Sequence, residues 1–373
     1  MSLRILHLMS CRGWSSDAYW AARACHELAQ RGHTVTLGCR AGTDARVIAR
    51  AREEGVDDIV TFELSSGVKP HRDVSDVRRL LGLWSHTDVV HVHRGKEHWL
   101  AAVANRMSFT PRPLVRTRHI AQAVRPHRLN RWLYGRATAL TLTVTEAIRR
   151  QYLAAGIVAA DRVVTLPGGA DTERFRPTPA DPELRENLGG RPGEALIGVV
   201  GGLRAMKGHR VVIEAAQRLI ARGLRPRFVF AGRGSHEAPI IETMRRLRLT
   251  GQFTIAGFVS DVPAVLAALD VALYVPLESD GMSRMVFEYL AAGRALIASR
   301  VGVVPEVLRD GEHALLVHAG DADALADALA RLVTDAALRD RLATAGRRLV
   351  VERYSGTCLA AALEEHYGRL VRQ

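Results

Sequence analysis

Short apolar runs alternate with longer amphipathic segments along the whole chain, and this alternation constrains the fold more than any other feature. In the first half the apolar runs lie at 4–9, 32–37, 88–93, 114–118 and 139–144. The pattern restarts in the second half, at 193–201, 227–232, 253–255, 271–275 and 295–298. Between the runs lie amphipathic stretches such as 18–31, 98–105 and 209–222. Buried strands separated by helices predict an α/β fold, in which doubly wound parallel sheets carry helices on both faces.

A segment rich in proline and glycine separates the two halves of this pattern. It runs from Pro167 to Pro179 and is typical of a linker. A chain of 373 residues is long enough for two or three domains. We therefore predict two Rossmann-like domains, residues 1–172 and 173–354, that face a central cleft. In open sheets of this kind ligands bind beyond the carboxyl ends of the strands, so the loops that follow strands are candidate sites.

The composition is that of a globular protein, with 47% hydrophobic and 24% charged residues. No window is apolar for long enough to predict a membrane span. The apolar run at the amino terminus lacks a small-residue cleavage site, so it predicts a first strand rather than a signal peptide. Four cysteines without CxxC spacing favour a reduced, cytoplasmic protein.

Basic residues are concentrated in the first half of the chain. The net charge is +13, and residues 1–170 carry 25 basic and 14 acidic side chains, against 27 and 25 in the remainder. No acidic residue lies between Glu97 and Glu146, a stretch with eight arginines: Arg106, Arg112, Arg116, Arg118, Arg125, Arg128, Arg131 and Arg136. Such a surface would attract a nucleic acid, an acidic lipid surface or a phosphorylated substrate. A solvated basic face without a partner is the alternative.

A glycine-rich turn with two basic residues follows the first strand of the second half. Gly201 and Gly202 allow a ligand to approach the backbone, and Arg204 and Lys207 place two cations just before a predicted helix. This combination suits an anion such as a diphosphate. It is neither a Walker A sequence nor GxGxxG. A strand-to-helix turn with two exposed bases is the alternative interpretation.

A second candidate segment runs from Asp280 to Glu288, after the strand that ends near Pro276. Gly281 and Ser283 suit a loop and a helix cap, and Glu288 would lie about two turns into the helix. An acid before the turn can bind sugar hydroxyls, and an acid on the helix can bind ribose hydroxyls. Backbone N–H groups at 281–283 would face phosphates.

These motifs, taken in order, resemble the retaining family 4 glycosyltransferases of GT-B fold over nearly the whole chain. In the second half the resemblance rests on Arg204 to Gly208, 231–234 (AGRG), 257–262 (GFVSDV), Asp280 to Glu288 and 301–306 (VGVVPE). In the first half it rests on 31–35 (RGHTV), 88–93 (DVVHVH) and 168–175 (GGADTERF). The resemblance also implies that the last helix, 355–373, packs back onto the first domain.

The resemblance implies transfer of a sugar from a nucleotide-sugar donor with retention of configuration. By position, Lys207 and Arg204 would hold the donor diphosphate, Glu288 the ribose and Asp280 the sugar hydroxyls. His119 would help to position donor and acceptor. The remaining residues of the implied donor site are Ser15, Ser16, Gly202, Gly232, Phe258, Val259, Gly281, Met282 and Ser283.

The sequence departs from the family pattern at three places. Ser15-Ser16 stands where the family usually has Gly-Gly, and serine can still offer amide and hydroxyl donors. Gly202 stands where an arginine is usual, so Arg204 would act from two positions later. Asp280 replaces the first acid of the usual Glu…Glu pair, with Glu278 as the alternative contact to the donor sugar.

The resemblance further implies a metal-independent front-face substitution with no cofactor, in which the leaving phosphate oxygen takes the acceptor's proton. The partners would be a nucleotide-sugar donor and an anionic saccharide or lipid-linked acceptor, as in cell-envelope glycan or lipopolysaccharide synthesis. The basic first domain could also rest on the anionic inner leaflet as a peripheral membrane protein. Because no set of histidines has metal-ligand spacing, we expect no metal site.

Two other classes of function remain as alternatives. A nucleic-acid-binding protein would fit the basic composition, but only 5% of residues are aromatic and stacking clusters are lacking. A dinucleotide-dependent oxidoreductase would need GxGxxG after the first strand, which the sequence lacks. We therefore expect no nucleic-acid partner.

Overall fold

A computed structural model describes residues 2–43, 45–279 and 281–372. The chain divides into two compact units, and each is an α/β unit of its own. The first unit consists of Met1–Gly169 and Gly356–Gln373, and the second is Ala170–Ser355. The sequence placed these boundaries after residues 172 and 354.

Across its described residues, the first unit is built on a seven-stranded parallel sheet with the order β3-β2-β1-β4-β5-β6-β7. The strands are β1 (Arg4–Met9), β2 (Thr34–Arg40), β3 (Ile59–Phe62), β4 (Val89–Val92), β5 (Leu114–Arg118), β6 (Leu140–Thr143) and β7 (Val163–Thr165). All four residues of β4 are buried, as expected for a central strand covered on both faces. In the register of the sheet His7 on β1 lies opposite His91 on β4.

Helices connect these strands and cover the sheet. They are α1 (Ser16–Gln30), α2 (Ala45–Glu53), α3 (Pro70–Trp84), α4 (Gly95–Met107), α5 (Arg128–Trp132) and α6 (Glu146–Ala154), with α15 (Gly356–Val371) from the end of the chain. A π-helical turn, Leu133–Ala137, continues α5. Helix α15 packs against α1, where Arg31 pairs with Glu364 at 2.5 Å. The last helix therefore belongs to the first unit.

The second unit repeats the arrangement with six parallel strands in its described part, ordered β10-β9-β8-β11-β12-β13. The strands are β8 (Leu196–Val200), β9 (Arg227–Ala231), β10 (Phe253–Gly257), β11 (Val271–Tyr274), β12 (Ala295–Ser299) and β13 (Leu315–Val317). The helices are α7 (Pro182–Asn187), α8 (His209–Ala221), α9 (Glu237–Arg246), α10 (Val262–Ala268), α11 (Arg284–Ala291), α12 (Val304–Val307), α13 (Ala322–Thr334) and α14 (Ala336–Arg353). The predicted α/β class with two Rossmann-like parallel-sheet domains is confirmed.

The interior of the second unit is mostly aliphatic. Strand residues such as Ile197 and Leu273 pack with helix residues such as Val212 and Leu329, and each is at most 1% exposed. Apolar burial of this kind is the main favourable contribution to folding. It holds rigid the ends of β8, β9 and β11, from which the candidate loops of this unit extend.

Candidate functional site

In the second unit, the loops after β8, β9 and β11 are joined to one another by backbone hydrogen bonds. Leu203 N–H donates to the Arg233 carbonyl at 3.1 Å, which joins the loops after β8 and β9. Leu277 N–H donates to the Met206 carbonyl at 2.8 Å, which joins the loops after β8 and β11. Because parallel strands end at the same edge, three loops meet beyond the carboxyl ends of the central strands, as expected for a ligand site in an open sheet.

Two glycines make this close approach of the loops feasible. Gly208 has a φ of +75°, and a Cβ added there would lie 1.9 Å from the Val275 carbonyl oxygen. Gly232 has a φ of +152°, and its Cβ would lie 2.0 Å from the Gly201 carbonyl oxygen. Larger side chains would therefore separate the loops as well as strain the backbone.

The two predicted cations lie on the loop after β8, and a third follows β9. Arg204 is exposed and Lys207 is half-buried, with Nζ 5.8 Å from the centre of the Tyr274 ring. Arg233 is exposed, and its carbonyl oxygen lies within 3.6 Å of the Cβ position of Gly202. Arg233 belongs to the motif at 231–234, but no role was predicted for it. Its place one residue after Gly232, at the end of a strand, was the signal that could have identified it.

The turn at 281–283 is buried and is tied to β11. Ser283 is 2% exposed with a φ of +56°, and its Oγ accepts a hydrogen bond from Tyr274 Oη at 2.6 Å. Ser283 therefore does not cap α11 with its side chain, contrary to the prediction. Tyr274 also lies beneath Lys207, so it connects the two candidate loops. Met282 is buried as well, whereas Asp280 lies outside the described residues.

Glu288 lies on α11, one turn from its start rather than the predicted two. Its side chain is 1% exposed, and its Oε1 lies 2.9 Å from Nε of Arg284. A carboxylate that is this deeply buried needs such a partner. A ribose hydroxyl that reached Glu288 would therefore share the carboxylate with Arg284, which the sequence analysis did not single out.

The predicted base-binding loop follows β10. Phe258 is 61% exposed and Val259 is half-buried. A Cβ added to the preceding Gly257 would lie 3.8 Å from Nε of Arg233, so this loop neighbours the loop after β9. An exposed aromatic ring on a loop that neighbours a basic residue offers a surface on which a planar base can stack.

Ser15 and Ser16 lie at the amino end of α1, just beyond the carboxyl end of β1. The Ser15 hydroxyl donates to the Asp17 carboxylate, which also accepts from Nε of Arg94 at 2.6 Å. Burial raises the pKa of Asp17, but the hydrogen bonds from Arg94 and Ser15 and the neighbouring positive charge outweigh it and hold that pKa well below its usual range. Asp17 is therefore an anion at neutral pH. Neither Asp17 nor Arg94 was a predicted site residue.

His119 follows β5 and is 7% exposed. Its Nε2 lies 3.1 Å from Nδ1 of His93, and His93 Nε2 lies 3.0 Å from Nδ1 of His7. Burial lowers the pKa of His119 to about 3, against the opposing effect of Asp17, and lowers that of His7 to about 3 as well. These side chains are therefore neutral at physiological pH.

Among the described residues, His7, His91 and His93 place one nitrogen each within 4.8 Å of one another, close enough to consider a metal. His93 Nε2 faces His7 Nδ1, however, and both nitrogens of His91 face hydroxyls, those of Tyr367 at 2.5 Å and Thr117 at 2.6 Å. The nitrogens are thus engaged in hydrogen bonds within the protein. We interpret this cluster as a hydrogen-bonded network rather than a metal centre.

The arginine-rich stretch of the first unit forms two different environments. Five of its arginines are exposed: Arg106, Arg125, Arg128, Arg131 and Arg136. Arg116, in contrast, is 2% exposed, and its Nε and Nη1 atoms find no hydrogen-bond partner among the described residues. Exposed apolar side chains accompany the exposed arginines, with Met107 at the end of α4, Phe109 after it and Leu129 on α5.

Comparison with known proteins assigns each unit to a glycosyltransferase domain. Residues 19–174 match the family described as Glycosyltransferase Family 4, and residues 194–335 match Glycosyl transferases group 1. The chain belongs to glycosyltransferase family 4. This membership favours glycosyl transfer over the nucleic-acid-binding and oxidoreductase alternatives.

Individual relatives agree with this family. The 2-deoxystreptamine glucosyltransferase of Streptomyces kanamyceticus is 29% identical over 65% of the chain, which spans 63% of that relative's length. The D-inositol 3-phosphate glycosyltransferase of Nocardia farcinica is 28% identical over 93% of the chain and 83% of its own length. Among solved structures, Anabaena HepE in complex with UDP and glucose superposes with a TM-score of 0.82, at 17% identity over 99% of this chain and 100% of that one. This likeness shows the GT-B fold. No helix in the described residues is both long and apolar enough to cross a membrane.

Proposed function

We propose that this chain transfers a sugar from a nucleoside-diphosphate sugar to a saccharide or lipid-linked acceptor, with retention of anomeric configuration. The observation that carries the proposal is that three loops meet beyond the ends of β8, β9 and β11, and that two of them carry Arg204, Lys207 and Arg233. The names of the relatives, all glycosyltransferases, and the UDP and glucose held by Anabaena HepE support the same class of donor.

In this proposal the protein's own cations stabilise the departing diphosphate. Negative charge develops on the leaving phosphate as the glycosidic bond breaks, and cations fixed nearby stabilise it without reorganising. Lys207 and Arg204 would contact the diphosphate, with Arg233 as the added third cation. We therefore expect transfer without a divalent metal and without a cofactor. Activity that survives extensive chelation would support this, whereas loss that Mg²⁺ or Mn²⁺ restores would contradict it.

The remaining donor contacts would come from the loops around these cations. Backbone amides at Gly281, Met282 and Ser283 would face the sugar and phosphate, and Glu288 would bind ribose beside Arg284. Phe258 would border the base from the loop after β10. The roles of Asp280 and Glu278 toward the sugar hydroxyls stay predictions.

For the chemical step we propose front-face substitution, in which the leaving phosphate oxygen accepts the proton of the acceptor hydroxyl. A double displacement would need a carboxylate nucleophile that can reach the anomeric carbon. Glu288 is unsuited to that role because its carboxylate is ion-paired with Arg284 and is assigned in this proposal to the ribose rather than to the anomeric carbon. Retention would be tested by the anomeric proton signal in the NMR spectrum of the product. A product whose anomeric configuration is opposite to that of the donor would contradict the proposal.

The donor can be identified by thermal shift with UDP, GDP, ADP and their sugars. A ligand that binds only the folded state raises the melting temperature by mass action. We expect one nucleotide to raise it and Lys207→Met to abolish the rise, while Lys69→Met, an exposed lysine of the first unit, leaves it unchanged. If no nucleotide shifts the wild-type protein, or the Lys207 variant responds normally, the proposed donor site is wrong.

For the acceptor side we propose an anionic lipid surface as the docking partner. Exposed arginines and exposed apolar side chains occur together on α4, α5 and the adjoining loops, and Trp99 of α4 stacks on Trp132 of α5 with ring centres 6.0 Å apart. Arginines would be attracted by anionic headgroups while Met107, Phe109 and Leu129 enter the interface.

Vesicle pelleting tests this docking surface. We expect binding to anionic vesicles that weakens as salt rises, and loss of binding in the double variant Phe109→Ser, Leu129→Ser. Val68→Ser is the matched control, because Val68 is 81% exposed in the first unit but lies outside this surface. Equal binding to neutral vesicles, or binding unaffected by salt, would contradict the proposal.

A further inference from the structure

A single chain of hydrogen-bonding groups runs through the interior of the first unit. It begins at Thr117, whose Oγ1 lies 2.6 Å from His91 Nε2, and passes from His91 Nδ1 to Tyr367 Oη at 2.5 Å. Tyr367 Oη lies 3.4 Å from His7 Nε2. The chain then runs from His7 Nδ1 to His93 Nε2 at 3.0 Å, and from His93 Nδ1 to His119 Nε2 at 3.1 Å. Its last atom is His119 Nδ1.

Every histidine of this chain is neutral, because burial lowers the pKa of all four. A neutral imidazole carries one N–H and one acceptor nitrogen, and a hydroxyl carries one proton. The links therefore depend on one another, since each ring that accepts on one side must donate on the other. Three arrangements satisfy every link: all donors point toward His119, all point toward Thr117, or His91 and His7 both donate to the Tyr367 oxygen, which can accept twice.

The arrangements differ in which polar groups are left without a hydrogen-bond partner. If all donors point toward His119, Thr117 gives its proton to His91, and the single group left over is the Nδ1–H of His119. If all donors point toward Thr117, its hydroxyl proton has no acceptor among the described residues, and His119 Nδ1 has no donor either. If both rings donate to Tyr367, the Tyr367 hydroxyl proton has no acceptor among those residues, and His119 Nδ1 again has no donor. Thr117 and Tyr367 are both fully buried, so an unsatisfied hydroxyl proton on either would lose a hydrogen bond that it makes with water when unfolded.

We infer that the donors in this chain of hydrogen bonds all point from Thr117 toward His119, and that this order holds His119 as the tautomer with its proton on Nδ1. His119 then offers one hydrogen bond to an oxygen of the bound substrate and cannot act as a general base through that nitrogen. Thr117, His91, Tyr367, His7 and His93 are positioning residues that act through His119. The tautomer of His119 does not depend on the proposed glycosyl transfer. Only the statement that a substrate oxygen accepts the hydrogen bond from Nδ1–H rests on it.

Two further observations agree with this order. His119 Nδ1 is buried and has no hydrogen-bond partner among the described residues, as expected for a donor that a ligand completes. Among the charged groups near His119, the anionic Asp17 has the largest effect and favours a proton at that end, while Arg116, Arg94 and Arg118 act against it. Tyr367 lies on α15, so the last helix contributes a link as well as packing.

Nuclear magnetic resonance of the free protein with isotope-labelled histidine tests the inference directly. We expect the wild type to show a protonated Nδ1 and an unprotonated Nε2 for His119 at neutral pH. Thr117→Val keeps the shape of the side chain but removes the donor at the far end, so the His119 signals should become a mixture of tautomers. Thr141→Val is the matched control, since Thr141 is fully buried in β6 and takes no part in this chain of hydrogen bonds. This variant should leave the His119 signals unchanged.

Other outcomes would overturn the inference. A wild-type His119 protonated on Nε2, or on both nitrogens, contradicts the proposed order. An unchanged tautomer in Thr117→Val shows that the chain does not control His119, provided that circular dichroism confirms the fold. Tyr367→Phe interrupts the chain of hydrogen bonds at α15 and should also produce a mixture of His119 tautomers.

A kinetic measurement links the tautomer to catalysis. Once the donor is known, Thr117→Val and Tyr367→Phe should lower kcat for sugar transfer several-fold while the KM for the donor stays near that of the wild type. Equal kcat in these variants, despite a mixed tautomer, would contradict the role of Nδ1–H in transfer. Absence of transfer in the wild type would instead refute the proposed function and leave the tautomer result standing.

Discussion

The two units share one strand order but differ in what they bury beneath the carboxyl ends of their strands. When the strands of each unit are numbered along the sequence, the first five lie side by side in the order third, second, first, fourth and fifth. Beneath that edge the first unit buries four histidines and Arg116, whereas the second is mostly aliphatic there, with His209 as the buried histidine near its site. The same backbone architecture therefore supports two ways to build a site.

The physical difference lies in which groups are satisfied by hydrogen bonds. Buried polar side chains cost free energy unless they are paired, so the first unit joins its histidines, Tyr367 and Thr117 in one network. The second unit instead brings backbone loops together and needs Gly208 and Gly232 to do so. The first site should accordingly be sensitive to protonation, and the second to any added Cβ.

The largest expected difference between the units is their response to acid. Burial lowers the pKa of His7 and His119 from 6.5 to about 3, so the unfolded state binds more protons than the folded state between these values. Stability is fully present above pH 6.5 and is lost as pH falls toward 3. These two histidines alone should lower the free energy of unfolding of the first unit by about 4 kcal/mol between pH 7 and pH 5.

Tryptophan fluorescence can isolate this effect, because all five tryptophans lie in the first unit. Calorimetry, which detects both units, should show a second transition that shifts less with pH. Transitions that move together would contradict the comparison.

Activity should depend most strongly on Lys207 of the second unit. We expect Lys207→Met to lower kcat by about 10²–10³-fold, the loss typical of a group that stabilises developing charge. Lys96→Met changes another lysine, which is paired with Asp73 in the first unit, and should leave kcat within a few-fold of the wild type. Near-normal turnover in the Lys207 variant would refute its contact with the leaving group.

Gly208→Ala should test the close approach of loops in the second unit. The alanine would adopt a φ of +75° and place its Cβ 1.9 Å from a carbonyl oxygen, so we expect a loss of about 3 kcal/mol in stability. Gly223→Ala separates the two causes, because Gly223 has a similar φ of +82° with no atom within 4 Å of the added Cβ. It should cost only about 1 kcal/mol. Equal losses in urea unfolding would show that the contact with Val275 does not matter.

The smallest expected change is a gain in stability in the first unit. Arg116 carries a buried charge with no ion-pair partner among the described residues, so Arg116→Met should raise the free energy of unfolding by about 2 kcal/mol. Arg136→Met, at an exposed position, should change it little. Destabilisation by Arg116→Met in urea unfolding followed by tryptophan fluorescence would show that the folded protein satisfies this guanidinium.

Much of the fold could be predicted because local patterns dictate it. Apolar runs such as 88–93 and 195–200 form central strands, and α8 begins at the predicted residue, since burial on both faces requires continuous apolar sequence. Strands β3, β7 and β13 were not predicted; they are three or four residues long and lie at the edges of the sheets. Strands this short give no distinct apolar run, and β3 and β7 are in addition only partly buried, whereas β13 is buried throughout.

The candidate sites, like the strands, could be predicted only where they depend on residues that are neighbours in sequence. The position of Arg204 and Lys207 after β8 was predictable because a glycine-rich turn after a strand has a local signature, and their contact with a diphosphate stays a prediction. Arg284 was not, because its pairing with Glu288 depends on how deeply α11 is buried. Ser283 was expected to cap α11, but its hydroxyl accepts from Tyr274 instead, a contact between residues on different elements.

By itself, the sequence determined the alternation of strands and helices, the division into two halves and the loops that carry the cations, because each depends on neighbours along the chain. Only the tertiary structure decided that His7, His91, His93 and His119 join with Tyr367 from the last helix. These residues are far apart in sequence, and their protonation depends on burial and mutual distance, which no local pattern encodes.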